Sequence, residues 1–230
     1  MPLIVSWIPD QEDWCAVSIE QEKRAAAEAA ALLVEDGMTV GLGTGTTASY
    51  LLPALARRRL AIRCVATSDR TASAAAKLGL AVEPFSALDA LDIAIDGADQ
   101  ISPDGWLIKG GGGAHTREKI VARAAARFVV IADSTKPTAA LHPPVPLELL
   151  RFGQPATLRL LGQATVRAGP LSPDGGVLAD YQAPFDDPAS LAAKLSEIPG
   201  VVGHGLFSPS IVATILIGRG NEVEKRTLRG

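Results

Sequence analysis

Three short segments of this sequence hold residue types whose spacing could do chemistry. The first, Gly41-Leu-Gly-Thr-Gly-Thr-Thr47, sets glycines among threonines. Glycine lets the backbone approach a ligand closely, and a helix starting after such a turn offers unpaired N–H groups and a positive dipole end to an anion. Thr44, Thr46 and Thr47 flank Gly45 and add hydroxyl donors. The spacing lacks the dinucleotide fingerprint, and no Gly-Lys-Ser/Thr follows as a nucleotide phosphate loop requires. A purely structural tight turn is the alternative; hydroxyls beside the glycines favour anion binding.

The second segment, Asp96-Gly97-Ala98-Asp99, follows the apolar run Leu91–Ile95. Paired carboxylates at a strand end suit the binding of hydroxyl groups or a proton relay. By itself the segment reads equally as an ordinary turn, for which Asp and Gly are common.

The third segment runs from Lys109 through Gly110, Gly111, Gly112 and Gly113 to Glu118. Consecutive glycines are costly to order, so a plain loop explains them poorly. They suit a backbone cradle whose N–H groups point at substrate oxygens or a developing oxyanion, with Lys109 supplying positive charge. Glu118 falls near the following helix start, where the dipole favours its ionised form. An isolated Glu there would be routine; the glycine run makes it a candidate base. His115 reads as a loop histidine near the site rather than a catalytic one. Lys136, closing Asp133-Ser-Thr-Lys136, either reaches a bound anion or is simply solvated.

These segments need elements to position them. Ser18 and Gln21 form a capping box for a helix over 18–35, with Ala25, Ala29, Leu32 and Leu33 on one face. Strands follow at 39–42, 63–66, 91–95 and 128–132, and helices at 46–58, 71–78 and 116–127. This alternation indicates an α/β fold with a doubly wound, mainly parallel sheet, in which ligands bind beyond the carboxyl ends of the strands. After Pro137 the texture changes, and His142-Pro-Pro-Val-Pro146 is an extended connection. Beyond it a helix over 147–161, strands at 164–168 and 176–181, a helix over 188–198 and a strand over 200–207 form a smaller inserted α+β domain. A strand at 213–217 rejoins the first sheet. The expected division is a main domain of residues 1–141 and 212–230 and a small domain of 142–211.

Composition sets outer limits. The chain has 230 residues, of which 47% are hydrophobic and 20% charged, as in a globular protein with a sizeable core. A net charge of −3 gives no electrostatic case for nucleic acid or an anionic membrane, so any bound anion must be held locally. Cys15 and Cys64 make no disulfide framework and no metal-ligand spacing; they read as small buried thiols in a reducing compartment. Met1–Trp14 shows no signal-peptide pattern and no run is long enough to span a bilayer, so a cytoplasmic protein is expected.

Taken together, the segments resemble ribose-5-phosphate isomerase of the A type. The match comprises Gly41-Leu-Gly-Thr-Gly-Thr-Thr-Ala48, Thr67-Ser-Asp-Arg-Thr71, Asp96-Gly-Ala-Asp99, Lys109-Gly-Gly-Gly-Gly-Ala114, Arg117-Glu-Lys119 and Asp133-Ser-Thr-Lys136, in that family's order and spacing. Ile198-Pro-Gly-Val-Val202 and Gly205-Leu-Phe207 extend it. The resemblance implies that Thr44–Thr47, Asp96–Asp99, Lys109–Gly112 and Lys136 contact a sugar phosphate and that Glu118 accepts a proton. It implies no metal or organic cofactor, and assembly as a homo-oligomer, dimer or tetramer. Departures from the family pattern are Gln100 where an acid is usual, Thr135 in place of serine, Ser172-Pro-Asp-Gly-Gly176 in the small domain, and the lead Met1–Trp14.

The chemistry expected is interconversion of ribose 5-phosphate and ribulose 5-phosphate. Glu118 moves the proton, Lys109 and the glycine backbone stabilise the enediolate, Asp96 and Asp99 handle hydroxyls, and the threonine loop holds the phosphate. A non-catalytic sugar-phosphate sensor would keep the loops without needing Glu118 and Lys109 together. A transferase or deaminase on the same topology is the other rival, separable by a product assay.

Overall fold

The computed structural model describes residues 18–88 and 90–228. In chain order the elements are α1 (Ile19–Ala31), β1 (Thr39–Leu42), α2 (Thr46–Arg58), β2 (Arg63–Ala66), α3 (Asp69–Lys77), β3 (Ala81–Val82), β4 (Leu91–Gly97), β5 (Gln100–Ile101), β6 (Leu107–Ile108) and α4 (His115–Ala124). They continue with β7 (Ala125–Ala132), β8 (Val145–Leu149), α5 (Gln154–Leu161), β9 (Ala164–Val166), β10 (Val177–Tyr181), α6 (Pro188–Glu197), β11 (Val201–His204), β12 (Leu206–Phe207), β13 (Thr214–Arg219) and β14 (Glu222–Thr227). Cys15 and the lead Met1–Trp14 lie outside the described residues.

The main sheet has the order β14-β13-β7-β4-β1-β2-β3, parallel throughout except for the β13–β14 hairpin. Its strands read as apolar runs because helices cover both faces. Ile93, Ile95, Val40 and Leu42 are fully buried. A second, four-stranded antiparallel sheet has the order β11-β8-β10-β9, and β12-β6-β5 form a third. The protein is thus an α/β fold with a mainly parallel sheet and a small antiparallel unit, and β13 does return to pair with β7.

Several local expectations are corrected. Helix α1 keeps its Ser18–Gln21 capping box but ends at Ala31, and its buried face is Glu22, Ala26, Ala27, Ala30 and Ala31, while Leu32 is 72% exposed. Small side chains win that face because α1 lies almost on the sheet: a Cβ at Gly218 would stand 2.1 Å from the Glu22 carbonyl oxygen. The helix expected over 147–161 is instead β8 followed by α5. All of β8 is buried between β10 and β11, Glu148 included, whose carboxylate accepts from the Ser172 hydroxyl, so its one charge marks no solvent face and the short run carries no period to read. The helix expected over 116–127 ends at Ala124, because Ala125–Arg127 pair with Leu91–Ile93 of β4 and sheet pairing overrides their helix propensity. The strand expected over 200–207 divides between two sheets, β11 pairing with β8 and β12 with β6.

Candidate active site

The carboxyl ends of β1 and β4 bring two of the segments together. The Gly43 N–H donates to the Ile95 carbonyl at 3.0 Å, clamping the turn after β1 against β4. No side chain fits at Gly43, since a Cβ would fall 2.0 Å from Asp96 Oδ1. Glycine here makes room for a carboxylate. Gly45 then caps α2, whose first N–H groups at Thr46 and Thr47 have no intrahelical acceptor. Thr44 lines the cleft, and its hydroxyl bonds to Thr67 and Ser68 at 2.8 Å each, tying the loop to the start of α3.

Asp96, Lys109 and Glu118 form a buried cluster, exposed by 3%, 2% and 4%. Lys109 Nζ donates to Asp96 Oδ2 at 2.8 Å and to the Gly97 carbonyl at 2.5 Å, and lies 3.1 Å from Glu118 Oε2. That last contact is an ion pair without hydrogen-bond alignment, so Glu118 Oε2 has no hydrogen-bond partner. Burial pushes the Glu118 carboxyl up to about 8, helped by the charge of Asp96 and opposed by Lys109. Burial also raises Asp96, again opposed by Lys109. Burial alone would lower Lys109, but Asp96 and Glu118 outweigh it and hold the ammonium charged. Two carboxylates share one cation, and the pair keeps a proton into the neutral range.

The third segment closes over this cluster. Gly111 N–H donates to Asp99 Oδ2 at 2.8 Å, folding the glycine loop toward the turn after β4. One cleft is lined by Thr44–Thr47, Gly97–Asp99, Lys109–Gly112, Glu118 and Lys136, with a free volume, open solvent included, of about 440 Å³. Asp96 lies beneath its floor. A larger groove, of about 1390 Å³ on the same measure, runs past Val65, Phe85 and Ile120, yet its mostly apolar lining gathers none of these groups. Among the described residues no cluster of His, Cys, Asp or Glu is placed to hold a metal ion.

Sequence reading missed the grip exerted by the antiparallel unit. Arg167, just past β9, donates to the Gly110 carbonyl at 2.8 Å and is held by both oxygens of Asp180, at 2.9 and 2.6 Å. Arg117, beside Glu118, makes a matching two-pronged bond to Asp174 at 2.8 and 2.7 Å. A lone Arg past a strand or on a helix carries no local signal of such a role. The departures also find partners. Gln100 exchanges bonds with both backbone groups of His142, at 2.9 Å each, which a carboxylate could not do. Thr135 donates through its hydroxyl to Asp133, keeping the turn that carries Lys136. His115 is the first residue of α4 rather than a loop residue; it is fully buried, and burial lowers it to about 3, so it is neutral. Cys64 is buried and pushed up to about 12 by that burial, which leaves it inert.

Comparison with known proteins agrees with this architecture. The family model for ribose 5-phosphate isomerase A (phosphoriboisomerase A) matches residues 63–222. Ribose-5-phosphate isomerase A of Caulobacter sp. (strain K31) is 44% identical over 206 residues, covering 83% of this chain and 91% of the relative. The solved ribose 5-phosphate isomerase A of Methanocaldococcus jannaschii superposes with a TM-score of 0.86 at 33% identity, over 91% of this chain and 100% of the other. A D-ribose-5-phosphate isomerase solved in complex with phospho-erythronic acid gives a TM-score of 0.86 at 32% identity, over 91% and 99%. The protein is therefore an enzyme of the isomerase class. The chain belongs to the ribose-5-phosphate isomerase A family.

Proposed function

We propose that the protein interconverts D-ribose 5-phosphate and D-ribulose 5-phosphate through an enediolate, with Glu118 as the general base. The observation that carries this reading is the Glu118 carboxylate, buried at the cleft, paired with Lys109, and left with an oxygen that no hydrogen bond occupies. Glu118 takes the proton from C2 of the open-chain aldose, and the C2–H electrons move into a C1–C2 double bond as the carbonyl oxygen becomes anionic. The O2 proton passes to O1, a carbonyl forms at C2, and Glu118 returns its proton to C1. No electrons leave the substrate, so the reaction needs no redox cofactor.

The other residues divide the remaining work. Lys109 Nζ donates to Asp96 and the Gly97 carbonyl and lies beside Glu118, so its charge steadies the enediolate through space. The Gly110 and Gly112 amides make the direct contact, and Gly111, whose N–H holds Asp99, lines the cleft. Asp99 handles hydroxyls at the cleft, backed by Asp96 through Lys109, Gly97 and Ala98 line the sugar, and Thr44, Gly45, Thr46, Thr47 and Lys136 hold the phosphate. The family relative bound to phospho-erythronic acid, a phosphorylated sugar acid, supports a phosphate-bearing ligand here.

The same reading assigns the enzyme to the pentose phosphate pathway, in the cytoplasm, as a homo-oligomer. Phe152, 93% exposed, offers apolar surface for a subunit contact that light scattering would test. Residues 142–211 are the small domain of this reading, supported by the separate β11-β8-β10-β9 sheet. Incubation with ribose 5-phosphate, followed by NMR of the product and of hydrogen exchange at C2, tests the activity. No ribulose 5-phosphate, or product without solvent exchange under any condition, overturns the mechanism.

A further inference from the structure

Helix α4 has a second functional face. Glu118 points into the catalytic cleft, while the next residue, Lys119, points into a separate cavity of about 590 Å³, open solvent included, bounded by Trp106, Arg123, Ser196, His204 and Phe207. Lys119 Nζ donates to the His204 carbonyl at 2.6 Å and stands 4.9 Å from the centre of the Phe207 ring. None of the ion pairs among the described residues involves Lys119 or Arg123. Two cations one helical turn apart therefore line one cavity with no carboxylate to balance them.

The groups facing Lys119 from the other elements do not supply that charge. His204 of β11 accepts from the Leu206 N–H through Nδ1, which leaves Nε2 as the protonated nitrogen toward Ser196 of α6. Burial lowers His204 to about 3, so the ring is neutral. His115 on α4 is neutral for the same reason. Phe207 of β12 offers only a ring face, shared with Lys109 at 5.5 Å. Holding a half-buried ammonium without a counter-ion is costly, and retaining one beside an open cavity is explained most simply by a mobile counter-ion.

We propose that this cavity is an anion site, distinct from the catalytic cleft, that takes a small tetrahedral oxyanion of the phosphate type between Lys119 and Arg123. Burial and the charge of Arg123 together push Lys119 down to about 7. A bound anion offsets both causes. Occupancy must therefore raise the Lys119 midpoint, and binding must weaken as pH rises through 7 in the free protein.

Lysine-labelled protein tests this by NMR, following the side chain that titrates near neutrality and assigning it by its loss in Lys119→Arg. Sulfate is the probe, because it does not titrate itself in this range. The midpoint should rise by about 1 unit or more on adding sulfate, as for a lysine gaining a close opposite charge. Arg123→Ala, on the exposed side of α4, should abolish most of that rise while leaving turnover intact. Glycerol phosphate in a parallel titration distinguishes a phosphate ester from the free ion by which acts at lower concentration. A Lys119 midpoint unmoved by both probes, or a rise that survives Arg123→Ala unchanged, overturns the site.

Discussion

Glu118 Oε2 stands 3.1 Å from Lys109 Nζ without accepting an aligned hydrogen bond, deep enough that both side chains are almost wholly excluded from solvent. This relationship keeps a carboxylate next to a fixed positive charge while its lone pairs remain available. Replacing it by Glu118→Gln preserves shape and removes the ability to accept a proton. Turnover should fall by about 10²–10⁴-fold, the usual range for a positioned general base, with a much smaller change in substrate affinity. Exchange of the C2 hydrogen with solvent should vanish in parallel. A folded variant with near-native turnover would send the search for the base to Asp96 or Asp99.

The pH dependence follows from the same pair. A base must be deprotonated to act, so kcat/KM should rise with pH through an apparent midpoint near 8, well above an ordinary carboxylate. That midpoint belongs to the coupled Asp96–Glu118 pair. Stability should move oppositely. A carboxyl raised in the folded state adds stability below its unfolded value near 4.5 and loses it as pH climbs to about 8. Glu118→Gln should therefore gain stability relative to the native protein across that window. Denaturant titrations at several pH values check it; a constant difference would contradict the shift.

Arg167 should behave as a positioning residue. Arg167→Met frees the Gly110 carbonyl and strands Asp180, so kcat should drop while KM for the phosphate-held substrate changes little. Arg167→Lys should not restore kcat, because a lysine cannot bridge Asp180 in two prongs and still reach Gly110. Equal losses in KM and kcat would indicate general loosening instead.

Gly43→Ala places a methyl group where Asp96 Oδ1 now lies. Asp96 must rotate away from Lys109, and the fold should lose about 1–3 kcal/mol, as for overpacking of a tight interior. Activity should fall further than stability accounts for. Thermal unfolding and turnover, measured together, separate the two effects.

Activity should persist after exhaustive chelation, since proton transfer to Glu118 and charge balance by Lys109 use only protein groups. Loss on chelation with recovery on adding a divalent ion would show that a metal carries part of the reaction.

Much of this was legible along the chain. Gly41–Thr47, Asp96–Asp99 and Lys109–Glu118 are contiguous segments whose glycine spacing and position after apolar runs are local properties, so sequence alone marked them out. Alternating strand and helix patterns likewise determined the parallel sheet and the end at which those segments gather. The failures lie where identity depends on what packs against a residue. The run from Leu147 read as helix, and only its place between β10 and β11 makes Val145–Leu149 a strand. The Lys109–Glu118 pairing, the reach of Arg167 across 57 residues to Gly110, and the exclusion of water that raises Glu118 exist only once distant elements meet. A side chain's charge state and partner are set by the groups and solvent around it, and the tertiary structure alone supplies those surroundings.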